Sequence, residues 1–213
     1  MLPLVLARNQ QVQQLRDGLV RLTEKVEEGI PLSGEEWSDL QRLARQYRIR
    51  GPFHDPGRLL EKLLRKVDLL PPSLALAQAA NESAWGESRF ARDANNLFGQ
   101  WCFTEGCGLV PKNRPEGMNH EVAYFDSWQA SLAAYYRNIN SHPAYKPLRD
   151  IRAQLRAQNL PLDGQQLALG LEKYSARGSI YIESLQRIIR VNKLDRLDQP
   201  RPAAEKSTRQ QRS

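Results

Sequence analysis

The chain has 213 residues, 40% of them hydrophobic and 26% charged, the proportions of one sizeable globular domain with an accessory segment. No run approaches the length of about 18 apolar residues that a membrane-spanning helix needs, which argues against stable membrane insertion. The 31 basic and 24 acidic residues leave a charge of +7, which attracts any polyanion: nucleic acid, anionic lipid or a cell-wall polymer. Nucleic acid is the poorest fit, because Lys and Arg are scattered along helices and gathered in the tail rather than clustered with aromatics.

Met1 to Ala7 is apolar but too short, and lacks the basic leader, for a complete signal peptide. It reads either as the remnant of a longer precursor or as a hydrophobic helix start. Residues 4–28 follow helical spacing, with Leu4, Leu15, Leu19, Leu22 and Val26 apolar, until Gly29-Ile30-Pro31 ends the pattern. Ser33 with Glu36 is a capping-box signature that opens a second helix to about Tyr47. Its expected buried stripe is Trp37, Leu40, Leu43, Ala44 and Tyr47. Both helices are expected to brace a later domain and take no part in chemistry. Gly51 to Gly57 is a turn-rich connector, in which His54 reads as a surface or capping residue. A third helix then carries Leu59, Leu60, Leu63, Leu64, Val67 and Leu70 on one wide apolar face.

Pro71-Pro72 starts a fourth helix, since proline is tolerated in a first turn where its missing N–H would have no partner. Leu76, Ala77, Ala80 and Ala84 share one face, small enough for close packing, and Gly86 is the expected left-handed stop. Gln78, Glu82 and Trp85 lie on the other side. A carboxyl group buried near the negative end of a helix dipole holds its proton more readily, as a general acid must. The plainer reading of Glu82 is a structural ion pair with an arginine.

Between Phe98 and Asp126 the helical spacing stops and glycines recur. The β-formers Trp101, Phe103, Val110, Val122, Tyr124 and Phe125 predict a small antiparallel hairpin or three-stranded lobe lying against the helices. Cys102 and Cys107 can bridge a short hairpin or remain two free thiols; a disulfide is the expectation, and it points to the periplasm or outside. A zinc site is not expected, because His54, His120 and His142 show no ligand spacing. A helix capped by Asp126 or Ser127 follows, broken at His142-Pro143. Tyr145 to Gln158 reads as mixed helix, and Gln165 to Tyr174 and Ile180 to Leu194 as two more helices. The domain boundaries are thus an accessory segment over 1–56, a domain over 57–194 and a basic tail over 195–213, expected to be disordered.

Two motifs in order carry a resemblance. Ala77-Gln78-Ala79-Ala80, then Glu82-Ser83 and Trp85-Gly86, followed by Asn95-Asn96-Leu97-Phe98-Gly99, resembles the signature of the endo-β-N-acetylglucosaminidase family of peptidoglycan hydrolases. The continuation from Gln100 to Pro111 is similar to its Bax-type branch. The resemblance spans about Val67 to Lys193. It implies a mainly helical α+β fold, lysozyme-like, with a small antiparallel β-hairpin lobe, and makes Glu82 the catalytic acid. Two positions depart from the pattern: Asn81 stands where Ile or Leu is usual and Ala84 where Gly is frequent, neither expected to touch the carboxylate. Tyr174-Ser175 and Tyr181 are similar to a further family segment whose first tyrosine lies near the active site. That match carries over to Tyr174, while Tyr181 is expected in the core.

Glycoside hydrolysis usually uses a second carboxyl, and the lobe offers Glu105, Glu116, Glu121 and Asp126. Glu116 is the first choice and Glu121 the second; a 2-acetamido group on the substrate can replace either as nucleophile. The expected substrate-binding residues are Gln78, Trp85, Asn96, Phe98 and Tyr174. Asn95 and Asn96 are also plausible turn residues, and Trp101 is a further candidate sugar platform. No metal or cofactor is implied. The expected partner is the peptidoglycan glycan strand, cleaved after N-acetylglucosamine by a monomer. A lytic transglycosylase, a muramidase and a non-catalytic wall-binding module are the competing readings.

Overall fold

The computed structural model describes residues 1–112 and 114–199. Among the described residues, nine α-helices form the body and three short strands form a small antiparallel sheet, a lobe beside it, which is the mainly helical α+β class expected. Helix α1 (Leu2–Glu27) buries Val5, Val12 and Leu19, seven residues apart. The stripe expected through Leu15 is displaced, and Leu15 faces solvent. Helix α2 (Gly34–Gln46) opens on the full reciprocal capping box of Ser33 and Glu36. Helix α3 (Pro56–Lys66) is capped by Asp55, not His54. Helix α4 (Pro72–Ser83) is buried along most of its length and packs against α1 and the later helices.

A short helix α5 (Arg89–Asp93), absent from the sequence reading, carries the chain toward the lobe. Strands β1 (Trp101–Cys102), β2 (Gly108–Leu109) and β3 (Glu121–Ala123) pair in the order β1-β3-β2. Val122 pairs with Trp101 on one side and Leu109 on the other. Gly108 permits this spacing, since a Cβ there would lie 2.0 Å from the Val122 carbonyl oxygen. Helix α6 (Trp128–Ser141) is capped by the Ser127 hydroxyl, and a 3-10 turn (Pro143–Tyr145) leads into α7 (Lys146–Ala157). The single helix expected over Gln165–Tyr174 is instead α8 (Gly164–Ala168) followed by a 3-10 segment (Leu169–Tyr174). Gly170 lies so close to α7 that a Cβ would meet the Leu148 nitrogen at 2.1 Å. Helix α9 (Ser179–Val191) and a 3-10 turn (Leu194–Leu197) follow.

The start of the expected disordered tail is corrected. Asp198 accepts hydrogen bonds from the Ser73 N–H at 2.9 Å and from the Gly164 N–H at 3.1 Å, so 195–199 are part of the fold. A carboxylate on the first turn of α4 also complements the positive end of that helix. The rest of the tail, from Pro200, lies outside the described residues.

The first 56 residues share one apolar cluster with the later helices, reaching from Val5 to Ile189. Polar contacts converge on the link between α3 and α4. From α1, Arg16 donates to the Leu64 and Val67 carbonyls, and Asn9 exchanges hydrogen bonds with Leu70. From α7, the buried Arg152 donates to the carbonyls of Arg65, Lys66 and Leu69 and to the Asn140 side chain. The carbonyls of Arg65 and Lys66 are ones that the end of α3 leaves without helical partners. Asp68, 3% exposed, supplies the counter-charge, with Arg156 at 2.7 Å, Arg152 at 3.5 Å and Arg16 at 3.6 Å.

Burial raises the Asp68 carboxyl, but the three guanidinium groups outweigh burial and hold it below its ordinary value. The stabilisation is therefore complete above the unfolded aspartate value of about 3.9 and drains away as pH falls through the lower folded value. Asp68→Asn leaves Arg152 charged, buried and unpaired, and is expected to cost about 3–5 kcal/mol. Chemical denaturation across pH checks this: the variant should be less stable at pH 7, and its stability should fall less steeply below pH 4.

Candidate active site

Glu82 occupies the last turn of α4, half-buried. The helix stops at Ser83, three residues before the expected stop at Gly86. Ala84, Trp85 and Gly86 all take positive φ, at 50°, 60° and 92°. Ser83 holds this turn, its hydroxyl donating to the Ala79 carbonyl at 2.6 Å and accepting from the Gly86 N–H at 2.7 Å. The helix thus ends abruptly behind the carboxylate. On its open side lies Gly99, where φ is +62° and an added Cβ would sit 3.6 Å from Glu82 Oε2. Glycine is needed there for the backbone conformation, and it leaves the approach to the carboxylate clear.

The Glu82 charge adds to the upward shift of four phenols, those of Tyr135, Tyr145, Tyr174 and Tyr181. Burial is the first cause that raises each phenol, and the carboxylate adds to it, so all four remain neutral donors at physiological pH. Their orientations are fixed by a relay. The Tyr135 hydroxyl donates to Gln78 Oε1 at 2.6 Å, and Gln78 Nε2 donates to the Tyr181 hydroxyl at 3.0 Å. With its oxygen occupied as acceptor, Tyr181 presents its own proton toward Glu82. Tyr174 stacks on Tyr181 with centroids 5.5 Å apart and donates to the Phe98 carbonyl at 2.9 Å. Phe98 stacks on Tyr135 at 4.0 Å.

This geometry corrects several expectations. Gln78 is fully buried with both ends of its amide engaged, so it underlies the site and is not available to substrate. Asn96 is 1% exposed and makes four hydrogen bonds, to Phe98, Gln100 and Ala123, stapling the loop to the lobe. The Phe98 ring is core. Trp85 is 67% exposed but lies on the opposite face of α4, over an apolar hollow with Leu76, Ala80 and Trp128. Tyr181, expected in the core, is buried there and still bears on the carboxylate. Asn81 also differs from expectation: its Nδ2 donates to Glu82 Oε1 at 3.1 Å. No lysine or arginine pairs with Glu82 among the described residues, which removes the structural ion-pair reading.

On the lobe, Glu121 is not a free carboxylate. Its oxygens accept from the N–H groups of Gly106 at 3.0 Å and Gly108 at 2.8 Å, and these bonds hold it below its ordinary value. Cys102 and Cys107 are joined by a disulfide across the same loop. The two sulfurs and the Glu121 carboxylate lie within 4.8 Å of one another, and all are spent on closing this loop. Glu116, Glu105 and Asp126 are solvent-exposed, and no hydrogen bond among the described residues joins them to Glu82. Trp101, 56% exposed, stacks on His120 at 4.1 Å two residues beyond Gly99.

The mainly helical body with a small three-stranded antiparallel lobe beside it is the fold that the two sequence motifs imply. The family model described as mannosyl-glycoprotein endo-beta-N-acetylglucosaminidase matches residues 57–194. The chain belongs to this glucosaminidase family. Protein bax of Escherichia coli (strain K12) is 34% identical over 151 residues, which cover 68% of this chain and 53% of that protein. The chain therefore spans about half the length of the curated relative, and it is a Bax-type member of the glucosaminidases. No solved structure matches it.

Sequence reasoning missed Tyr135, Tyr145 and Asn81 as neighbours of the acid. Tyr135 follows Leu132 and precedes Ile139 at helical spacing, and a phenol on such a buried face needs a polar partner. That requirement was the available signal. Tyr181→Phe tests the relay, because it leaves the buried Gln78 N–H unpaired. The expected loss is about 1–3 kcal/mol of stability, read as a lower melting temperature.

Proposed function

We propose that this glucosaminidase cleaves the β-1,4 bond after N-acetylglucosamine in peptidoglycan glycan strands, with Glu82 as general acid. The observation that carries the reading is the half-buried Glu82, open toward Gly99 and without a cation partner among the described residues. The Tyr181 proton and the Asn81 amide orient the carboxyl group, and Tyr174 forms the wall of the groove beside it. The exposed indole of Trp101 offers a flat face for a sugar ring on the lobe side. The disulfide supports action in an oxidising compartment, the periplasm or cell envelope. Among the described residues, no helix is long and apolar enough to cross a membrane.

The second group of the mechanism is not Glu121, whose oxygens are occupied. Glu116, exposed in the lobe turn, remains the candidate base or nucleophile, and the 2-acetamido group of the substrate is the other. A lytic transglycosylase is a second reading. Among the described residues Glu82 is the carboxylate that bears on the four phenols, and a single acid on a helix suits that reaction.

Digestion of purified peptidoglycan, with mass spectrometry of the new sugar ends, distinguishes these readings. The expected product is a new N-acetylglucosamine reducing end, with Glu82→Gln slower by about 10²–10⁴-fold. A muramic or anhydro-muramic end moves the assignment to the second class. Bound but uncut sacculi leave a wall-binding module.

Asn81→Leu removes the N–H that donates to Glu82 Oε1. Its turnover of peptidoglycan is expected to fall while the circular dichroism spectrum stays that of the parent.

A further inference from the structure

A cavity of about 360 Å³ opens on the body where the α2–α3 link, α3 and α7 meet, room for about a dozen waters. The link contributes Arg48 and Arg50, and α3 contributes Lys62, Arg65 and Lys66. The start of α7 adds Lys146 and Arg149, with Asp150 as the one acidic residue of the lining. That carboxylate is already shared between Arg65 at 2.7 Å and Lys146 at 2.6 Å. Among the described residues, the other five cations have no carboxylate within the 4.0 Å of an ion pair.

Two of these cations are held from behind. Arg149 is 5% exposed and anchored through Nη1, which donates to the carbonyls of Ile139 at 2.8 Å and His142 at 3.0 Å. Its Nε and Nη2 make no hydrogen bond among the described residues, although the side chain lines the cavity. Lys66 donates to the carbonyls of Tyr47, Arg48 and Ser141. Burial, then the charges of Arg149 and Arg48, pull its ammonium below its ordinary value. The cluster therefore carries a like-charge cost that its own acidic residues do not relieve. Fixed, converging donors of one sign in a concave site are what an oxyanion recognises.

We propose that this cavity is a phosphoryl-binding site. A carboxylate offers one charge and two oxygens; a phosphate monoester offers nearly two charges and three oxygens, which answers five cations arriving from three elements. The site is separate from Glu82, and the inference does not rest on the glycosidase reading.

The test is an amide-resolved NMR titration of the full chain with inorganic phosphate, ionic strength held constant with sodium chloride. The expected result is saturable shifts confined to 48–50, 62–66 and 146–149. In the double variant Arg50→Glu/Lys62→Glu, both positions exposed, binding is expected to weaken at least about tenfold at an unchanged melting temperature without phosphate. Vesicles containing phosphatidylglycerol distinguish the sources. Vesicle binding that phosphate displaces assigns a lipid headgroup, and phosphate binding without vesicle binding assigns a soluble phosphoryl ligand. Shifts that do not saturate, shifts spread over the whole surface, or equal binding by the double variant overturn the proposal.

Discussion

The placement of every group in the site depends on the buried ion cluster of Asp68 and Arg152. Three peptide carbonyls at the end of α3 and in the link that follows it, those of Arg65, Lys66 and Leu69, lie outside any helical ladder. Arg152 takes all three and is pulled down to about 10 by burial while Asp68 opposes the shift, so it stays charged. An apolar residue of the same size would leave those carbonyls unpaired, at a cost of about 1–3 kcal/mol for each buried group. The cluster therefore fixes the direction in which the chain leaves α3. That direction aims α4, and α4 ends at Glu82.

The N-terminal helix belongs to the same constraint. Arg16 and Asn9 grip the α3–α4 link from the side opposite α7, and Asn9 also accepts from the Tyr136 hydroxyl at 2.9 Å. The same end of α4 is tied to the last described residues through Asp198 and Ser73. The central helix is thus clamped at its start by residues from both extremities of the described chain. Its alanine-rich surface then allows close approach of α1 and α9, leaving Gln78 the one long polar side chain enclosed within it. The Gln78 amide is satisfied only because phenols arrive from α6 and α9. The same buried polar contact that holds the helices together also orients Tyr181 at the acid.

How far the sequence was readable follows the range of each interaction. Caps and starts rest on neighbours: the Ser33–Glu36 box, the Ser127 cap and the prolines that open α4 stand where the pattern predicts. The lobe was legible from its glycines and β-formers, and Glu82 from the two motifs flanking it. Residues whose partners lie far along the chain were misread. Gln78 and Asn96 look like ligand-facing polar groups, but their partners come from as far as 103 residues away and enclose them. Leu15 and Val12 are equally apolar, and only the position of α3 and α4 decides which is buried. Glu121 differs from Glu116 solely in having two glycine N–H groups folded back onto it.

The lobe has strands of two and three residues and one buried aliphatic side chain, Val122, so apolar packing cannot hold it in place. Buried polar groups do this instead. Asn96 ties β3 to the 95–100 loop, Glu121 closes the Cys102–Cys107 loop, and the disulfide limits how far that loop can open. Polar contacts of this kind demand specific geometry, whereas apolar contacts tolerate sliding. The opposite holds at Glu82. Among the described residues that carboxylate has no cation, and its Asn81 donor is neutral, so it adds little to stability that an apolar side chain would not supply better. A lobe fixed rigidly by satisfied polar groups, facing one incompletely satisfied carboxyl, concentrates the unmet hydrogen-bonding capacity at a single point. A glycosidic oxygen that needs a proton would supply what is missing there.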